Sequence, residues 1–408
     1  MKCRHCSSEL KLPLVDLGSA PPSNSYLTEQ TLHAPEKWFP LRVLVCEECW
    51  LVQTEDFAEA NELFDADYAY FSGFSTSWLA HSERYVSEMC SRFGLGAHSH
   101  VVEVAANDGY LLQYVMARNI PCTGVEPTAS TASAARSKGI DIVEEFFGVE
   151  LAKKMIANGK QADLTAANNV LAHVPDINDF VKGFSILLKE DGVATFEFPH
   201  LLNLLLETQF DTIYHEHFSY LSLIAIVRVF AANGLAVFDV EELPTHGGSL
   251  RVYAQRKDSG HHQTNARVTQ ILEAEKSSGI LNTDYYRNFQ NRTNHIKYEL
   301  TRFLVDAKRD GKRVVAYGAA AKGNTLLNYA GIRADLIEFV VDLNPAKQNK
   351  YMPGSRIPIV NEERLKEEKP DYVLILPWNL KTEIYNQLSY VKTWGGKFVT
   401  AVPSLQFT

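Results

Sequence analysis

Four cysteines stand in two pairs of identical spacing, Cys3-Arg-His-Cys6 and Cys46-Glu-Glu-Cys49. Two thiolates three residues apart converge on one ion, and a second such knuckle completes a tetrahedron. The spacing predicts a zinc ion held by Cys3, Cys6, Cys46 and Cys49. Four thiolates leave no coordination position for water, so the metal is expected to be structural and not catalytic. His5, inside the first knuckle, reads as a bystander. The segment up to about Phe57 contains irregular, Pro-rich stretches such as Ser19-Ala-Pro-Pro-Ser23. It shows too little apolar periodicity to fold without its metal.

Beyond that segment the chain is long enough for two further domains, since it has 408 residues. Hydrophobic residues at 46% and charged residues at 22% place it among ordinary globular proteins. A formal net charge of -9 counts against nucleic acid as a partner, which requires a surplus of Lys and Arg on some face. No stretch has the apolar length to span a bilayer, and no apolar region succeeds the start, so neither membrane anchorage nor a secretory leader is expected. Cys90 and Cys122 are left over, which fits a reducing cytoplasm.

Strand and helix signals alternate from about Leu79 onward. Strands are predicted at His100–Ala105, Thr123–Glu126, Asp163–Asn168 and Gly192–Phe198, with helices at Leu111–Met116, Thr131–Lys138 and Asp179–Leu188 between them. Such alternation implies a parallel sheet with crossover helices. Gly248–Ala254 is expected at its edge. A polar helical connector runs from about Asn265 to Lys308, and a second alternation begins at Arg313-Val-Val-Ala-Tyr-Gly318. The fold class is therefore α/β: a small zinc-binding module at 1–57, then two Rossmann-like doubly wound domains at 58–264 and, with the connector, 265–408.

The first sheet carries a cofactor argument in Glu103-Val-Ala-Ala-Asn-Asp-Gly-Tyr110. A strand ending in small residues and the turn Asn107-Asp108-Gly109 lets backbone approach a ligand at the carboxyl edge of a parallel sheet. Glu126 closes the next strand, where it is placed to accept from ribose hydroxyls. Asn168-Asn-Val-Leu-Ala-His173 comes after the third strand. No full G-x-G-x-x-G is present to cradle a pyrophosphate, so a nucleoside cofactor fits better, and S-adenosylmethionine is the common one. Taken alone, a strand-Asp-Gly-helix turn is as readily a mere connection; Glu126 and Asn168 favour the cofactor.

Three polar constellations remain. In Tyr214-His-Glu-His217, histidine takes protons near neutral pH, glutamate orients it or raises its pKa, and tyrosine donates to a developing oxyanion. The same residues could form a solvated helix start, or His215 and His217 could bind a metal. Thr245-His246-Gly247-Gly248-Ser249 is a glycine turn suited either to backbone contact with phosphate or to a plain connection. Gly318-Ala-Ala-Ala-Lys322-Gly-Asn324-Thr ends a strand and opens a helix, giving either an anion site or a close helix–strand contact.

Together these stretches, with Gly124-Val-Glu-Pro127, resemble the S-adenosylmethionine-dependent C-methyltransferases of nucleotide-deoxysugar biosynthesis over nearly the whole chain. Ala105-Ala106 stands where Ala-Ser is the family's usual pair. The resemblance implies a dTDP-linked 4-keto-deoxysugar bound between the two larger domains, in antibiotic or surface-polysaccharide biosynthesis. It implies catalytic roles for His217, Tyr214, Glu216, His173 and a tyrosine of Asp67-Tyr-Ala-Tyr70, with Tyr68 preferred to Tyr70. Tyr70, His246, Gly247, Gly248, Ser249, Gly318, Lys322 and Asn324 would bind substrate; Glu103, Asn107, Asp108, Gly109, Glu126 and Asn168 would bind cofactor. His217 is nominated as the base that generates an enolate for in-line methyl transfer, and the chain is expected to act as a monomer. The rivals are an O- or N-methyltransferase on another small molecule, a zinc-ribbon RNA-modifying protein, and a non-catalytic nucleotide-sugar binder.

Overall fold

The computed structural model describes residues 1–57, 73, 76–259 and 261–408. Tyr68 and Tyr70 lie outside the described residues. Among the described residues three sheets carry the architecture. The largest is built from β4 (Val101–Val104), β5 (Cys122–Val125), β6 (Asp141–Val143), β7 (Ala162–Asn168), β8 (Leu188–Pro199), β10 (Leu235–Leu243) and β11 (Ser249–Arg256). Its strand order is β6-β5-β4-β7-β8-β11-β10. From β6 to β8 the pairing is parallel; β11 runs antiparallel to both β8 and β10. Every residue of β4 is buried, as are six of the seven in β7, because helices cover both faces. Those strands, Val-Val-Glu-Val and Ala-Asp-Leu-Thr-Ala-Ala-Asn, are dominated by small or branched residues and show no strict alternation.

Strand order reverses between β4 and β7, and a crevice opens there at their carboxyl ends. On one face lie the helices Ile177–Leu187 and Leu223–Ala232, whose Phe180, Phe184 and Phe230 pack in one core with Phe196 of β8. Asp176 starts the first of these helices by accepting from the backbone of Asn178 and Asp179. On the other face, the helix Thr76–Phe93 contributes Tyr85, Val86 and Met89. The edge expected at Gly248–Ala254 is not an edge. β11 pairs on both sides, and β10, whose mixed Leu-Ala-Val-Phe-Asp-Val-Glu-Glu-Leu pattern hides its strand character, forms the border.

A second correction concerns the N-terminal segment. It is not held by metal alone. β1 (Leu12–Ala20), β2 (Phe39–Val45) and β3 (Val52–Thr54) form an antiparallel sheet that is completed by β9 (Ser219–Tyr220) from the middle of the chain. Leu14, Leu17, Leu41 and Val43 are buried in one core with Leu300 and Leu304 of the connector and Leu326 and Leu327 beyond it. Their apolar partners lie more than two hundred residues away in sequence, so local periodicity understates them.

The connector forms three helices, Ala266–Ser278, Thr283–Arg287 and Phe289–Arg309. They lead to the third sheet, built from β12 (Val314–Tyr317), β13 (Val340–Val341), β14 (Ile359–Val360), β15 (Tyr372–Ile375), β16 (Lys397–Thr400) and β17 (Gln406–Phe407). Its order is β14-β13-β12-β15-β16-β17, and all its pairs are parallel except β16–β17.

Glu275 pins the connector to the middle domain. Its side chain is fully buried, lies 2.7 Å from Nε2 of His200, and accepts from the backbone N–H of Leu223 and Ile224 at 2.6 and 2.8 Å. Those amides open the helix Leu223–Ala232, so the carboxylate caps a helix and bridges two domains at once. Glu275→Ala leaves three buried polar groups unpaired. We expect about 3–5 kcal/mol of destabilisation, read as a lower unfolding midpoint by calorimetry or circular dichroism, with Glu275→Gln intermediate.

Candidate active site

The four cysteine sulfurs lie within 4.8 Å of one another and form the sole cluster with metal-ligand geometry among the described residues. Cys3 and Cys49 approach to 3.5 Å, as do Cys6 and Cys46. Gln53 Nε2 points at the Cys3 sulfur from 3.3 Å, and the Cys49 amide at the Cys46 sulfur from 3.5 Å. Donors aimed at sulfur suit thiolates, and four soft donors in a tetrahedral cluster suit zinc. His5 takes no part, since its Nδ1 meets Asn178 Oδ1 at 2.8 Å. His215 and His217 do not form a second metal site: His215 Nε2 turns to the carbonyls of Phe39 and Pro40, at 3.2 and 3.3 Å.

A cavity of about 1460 Å³ opens at the carboxyl end of β4 and β7, and residues of all three parts of the chain line it. Its floor is unusual backbone. Ala105, Asn107 and Asn169 have φ of 61°, 49° and 56°, a left-handed region that non-glycine residues seldom occupy. Gly109 completes the first turn at φ 77°, and a Cβ there would meet Ile140 at 2.2 Å. Glu126 holds this turn in place: its carboxylate accepts from the backbone of Asn107 at 2.9 Å and of Thr128 at 3.0 Å. Each carboxylate oxygen has a second lone pair, so Glu126 can still accept from a ligand hydroxyl. Asn168 also lines the cavity, and its buried Oδ1 has no partner, an acceptor suited to a polar ligand.

Asn107, Glu126 and Asn168 line the cavity, whereas Glu103, Asp108 and Gly109 stand behind its wall. Glu103 is wholly inaccessible, and burial raises its pKa well above the carboxylate range. Asp108 is tied to Lys138, whose Nζ donates to its backbone oxygen at 2.6 Å.

Above the floor, Tyr214, Glu216, His217 and His173 come together on the cavity wall. Tyr214, Glu216 and His217 sit in a loop in which Glu216 and His217 are buried, not in a solvated helix start, and His173 ends the short turn Leu171–His173. His217 and His173 rings meet edge to face at 4.6 Å, and the Tyr214 ring lies 3.9 Å from that of His217. His217 Nδ1 donates to the carbonyl of Thr212 at 2.8 Å, which makes Nε2 the acceptor of the neutral ring. Burial, aided by the neighbouring imidazole, keeps the His217 pKa well below its ordinary value. Burial likewise brings His173 down to about 4 and raises Glu216 to about 7. Glu216 Oε1 accepts from Asn24 Nδ2 at 3.1 Å.

The third wall comes from the C-terminal domain. Lys322 Nζ donates to Asn379 Oδ1 at 2.9 Å and lies 4.8 Å from the centre of the Trp378 ring. Burial lowers its pKa to about 8, an effect opposed by Asp211. His246 faces the cavity with φ 56° and an Asn169 amide at 3.3 Å. The rest of its turn is scaffold: a Cβ on Gly247 would strike Trp378 at 2.5 Å, and one on Gly248 would strike Asn203 at 2.2 Å. Ser249 bonds back to Thr245 at 2.9 Å. Gly318 packs on Pro377, and Asn324 is buried behind Lys322 without lining the cavity.

Sequence reasoning overlooked several wall residues. Trp78, His81, Arg84 and Glu88 project from one face of the helix Thr76–Phe93, and their three- and four-residue spacing is the signal that could have found them. His81 Nε2 meets the buried Glu197 carboxylate at 2.8 Å, and Arg251 Nε donates to the same carboxylate at 2.6 Å. Asn24 and Lys347 carry no local signal.

Family models match a zinc binding domain at residues 3–64, a methyltransferase domain at 78–240 and a C-methyltransferase C-terminal domain at 244–403. C-methyltransferase NovU of Streptomyces niveus is 34% identical over 402 residues, covering 98% of this chain and 95% of that protein. Among solved structures, magnesium protoporphyrin IX methyltransferase (ChlM) from Synechocystis PCC 6803, with bound SAH, is 14% identical at a TM-score of 0.36, over 44% of this chain and 83% of that one. The PH0226 protein from Pyrococcus horikoshii is 12% identical at a TM-score of 0.38, over 50% of this chain and 100% of that one.

Two measurements test the site. Glu126→Ala removes an acceptor and loosens the Asn107 turn, so S-adenosylmethionine affinity should fall by about 1–3 kcal/mol in calorimetry. Half-buried His246, with its pKa lowered to about 4, stays neutral near pH 7 in the folded chain and takes up a proton near 6.5 once unfolded. Its stability contribution is therefore full above 6.5 and is lost as the pH falls towards 4. The stability gap between the wild type and His246→Asn should narrow over that window in denaturant titrations.

Proposed function

The chain belongs to the S-adenosylmethionine-dependent C-methyltransferases, and we propose that it methylates a carbon of a dTDP-linked 4-keto-deoxysugar through an enolate. We place this reaction in deoxysugar biosynthesis, carried out by a monomer in the cytoplasm. The observation that carries the reading is a single cavity joining the Asn107–Glu126 turn to His217 and Lys322. Its volume of about 1460 Å³ exceeds the roughly 300–1,000 Å³ typical of one small ligand and suits two. Division at 1–57, 58–264 and 265–408 assigns the nucleoside end to the middle part and the sugar-nucleotide end to the cleft beside the C-terminal part.

Carbon is a poor nucleophile until a neighbouring ketone acidifies its proton. His217 is suited to remove that proton. Its Nδ1–H is engaged by Thr212, its Nε2 is the acceptor, and burial keeps it neutral. Tyr214, whose ring tilts against the same imidazole, offers a hydroxyl to the enolate oxygen. His173 packs edge-on and limits rotation of the base. Glu216, with a pKa of about 7, is suited to exchange a proton with the site. Lys322 and His246 face the remaining space, where the lysine ammonium suits a diphosphate. S-adenosylmethionine supplies the electrophilic methyl, while the chain supplies position and a water-poor surrounding.

Incubation with a panel of dTDP-4-keto sugars and S-adenosylmethionine should give a product heavier by one methyl group in mass spectrometry. His217→Asn should lose on the order of 10²–10⁴ in turnover, along with sugar-proton exchange in deuterated water, while it binds both ligands nearly normally. Methyl gain on oxygen or nitrogen, undiminished in that variant, would overturn the enolate reading.

A further inference from the structure

The zinc cluster lies against the strand pair that carries the His217 loop. β3 begins three residues after Cys49, and β2 ends one residue before Cys46. β3 in turn pairs with β9, with Val52 opposite Tyr220 and Gln53 opposite Ser219. β9 starts two residues after His217. The carbonyl of His217 itself accepts from the Thr54 hydroxyl at 3.1 Å, and the Thr54 amide donates to the Phe218 carbonyl at 3.1 Å. On its far side, the Phe218 amide donates to Ala172 at 2.8 Å, next to His173.

Side chains join the first metal knuckle to this strip. Gln53 donates to the Cys3 sulfur at 3.3 Å and accepts from the Arg4 amide at 2.9 Å. Arg4 lies between Cys3 and Cys6, and its side chain is only 4% exposed. It donates to the carbonyls of Thr54 at 3.1 Å and Pro175 at 3.2 Å, pairs with Asp56, and covers the Phe218 ring at 4.9 Å. Neither Arg4, Gln53 nor Thr54 lines the cavity.

We propose that Arg4, Gln53 and Thr54 are positioning residues that transmit the geometry of the metal cluster to His217, so that zinc occupancy sets proton abstraction and leaves cofactor binding unaffected. The proposal rests on His217 being the base. Closure of the knuckles fixes the start of β3; β3 fixes β9 and the His217 carbonyl; and that carbonyl fixes the ring relative to Thr212. The Asn107–Glu126 turn is built on β4 and β5 in a separate sheet, and none of the three residues bonds to it.

Hydrogen-exchange mass spectrometry of the full chain, zinc-loaded and chelated, tests the coupling without any substrate. Removal of zinc should raise amide exchange at residues 217–220 while residues 101–126 keep their protection. Unchanged exchange at 217–220 would overturn the proposal. Thr54→Val and Thr54→Ser provide the second arm. With zinc content and S-adenosylmethionine affinity at wild-type levels, Thr54→Val should slow sugar-proton exchange on the order of 10- to 100-fold at a nearly unchanged sugar KM, and Thr54→Ser should restore it. A Thr54→Val enzyme that exchanges the proton at the wild-type rate would remove Thr54 from the chain of contacts. If the wild-type protein exchanges no sugar proton, the reading of His217 as base fails, while the amide-exchange arm still decides whether metal and loop are coupled.

Discussion

The pairing of β3 with β9 is the contact on which the arrangement of the site depends. Only two residue pairs form it, Val52–Tyr220 and Gln53–Ser219, yet it joins segments more than 160 residues apart. A two-residue strand has little stability of its own. Here it is held on one side by β3, whose Gln53 reaches the cysteine cluster, and on the other by the turn Leu171–His173, and Tyr220 is buried in the same core as Val52. His217 precedes β9 by two residues, and the turn that carries His173 bonds to Phe218, so backbone pairing sets the spacing of the two cavity histidines.

The opposite wall is organised differently. Strain is concentrated at the carboxyl ends of β4 and β7, where Ala105, Asn107 and Asn169 adopt positive φ. Such conformations cost of order 1–3 kcal/mol each and persist only when the surroundings enforce them. Enforcement comes from Glu126 on the Asn107 amide and from the Glu197 carbonyl, which accepts from the Asn169 amide at 2.7 Å. Glu197 then reaches His81 and Arg251 through its carboxylate. A carboxylate at the end of β5 and another residue's backbone on β8 thus hold open the crevice that the strand order creates.

Features fixed by local chemistry were legible in the sequence. The cysteine spacing, the Asp-Gly turn and the strand–helix alternation each depend on neighbours a few residues away, and each corresponds to an observed element. Tyr214–His217 was legible as a cluster of ionisable types, though its burial was not, because the groups that bury it come from β3 and the turn at Leu171. Asn24, Glu275 and Arg251 were illegible for the same reason. A polar residue in a loop or helix looks solvent-facing until the partner that satisfies it is placed. Gly247, Gly248 and Gly318 were legible as turn or close-contact positions; they adopt φ of 91°, 108° and 89° and pack on Trp378, Asn203 and Pro377.

Electrostatics in the cavity derive from its burial. Desolvation favours neutral forms: it pulls His173, His217 and His246 down, brings Lys322 to about 8, and lifts Glu216 to about 7. A neutral His217 is available to accept a proton, but its depressed pKa makes it a weak base. An anionic ligand alters that balance. A diphosphate beside Lys322 and His246 would favour every protonated form around it, because opposite charges interact strongly where water is excluded. The proton affinity of His217 would then rise as well, since the same cavity holds both groups.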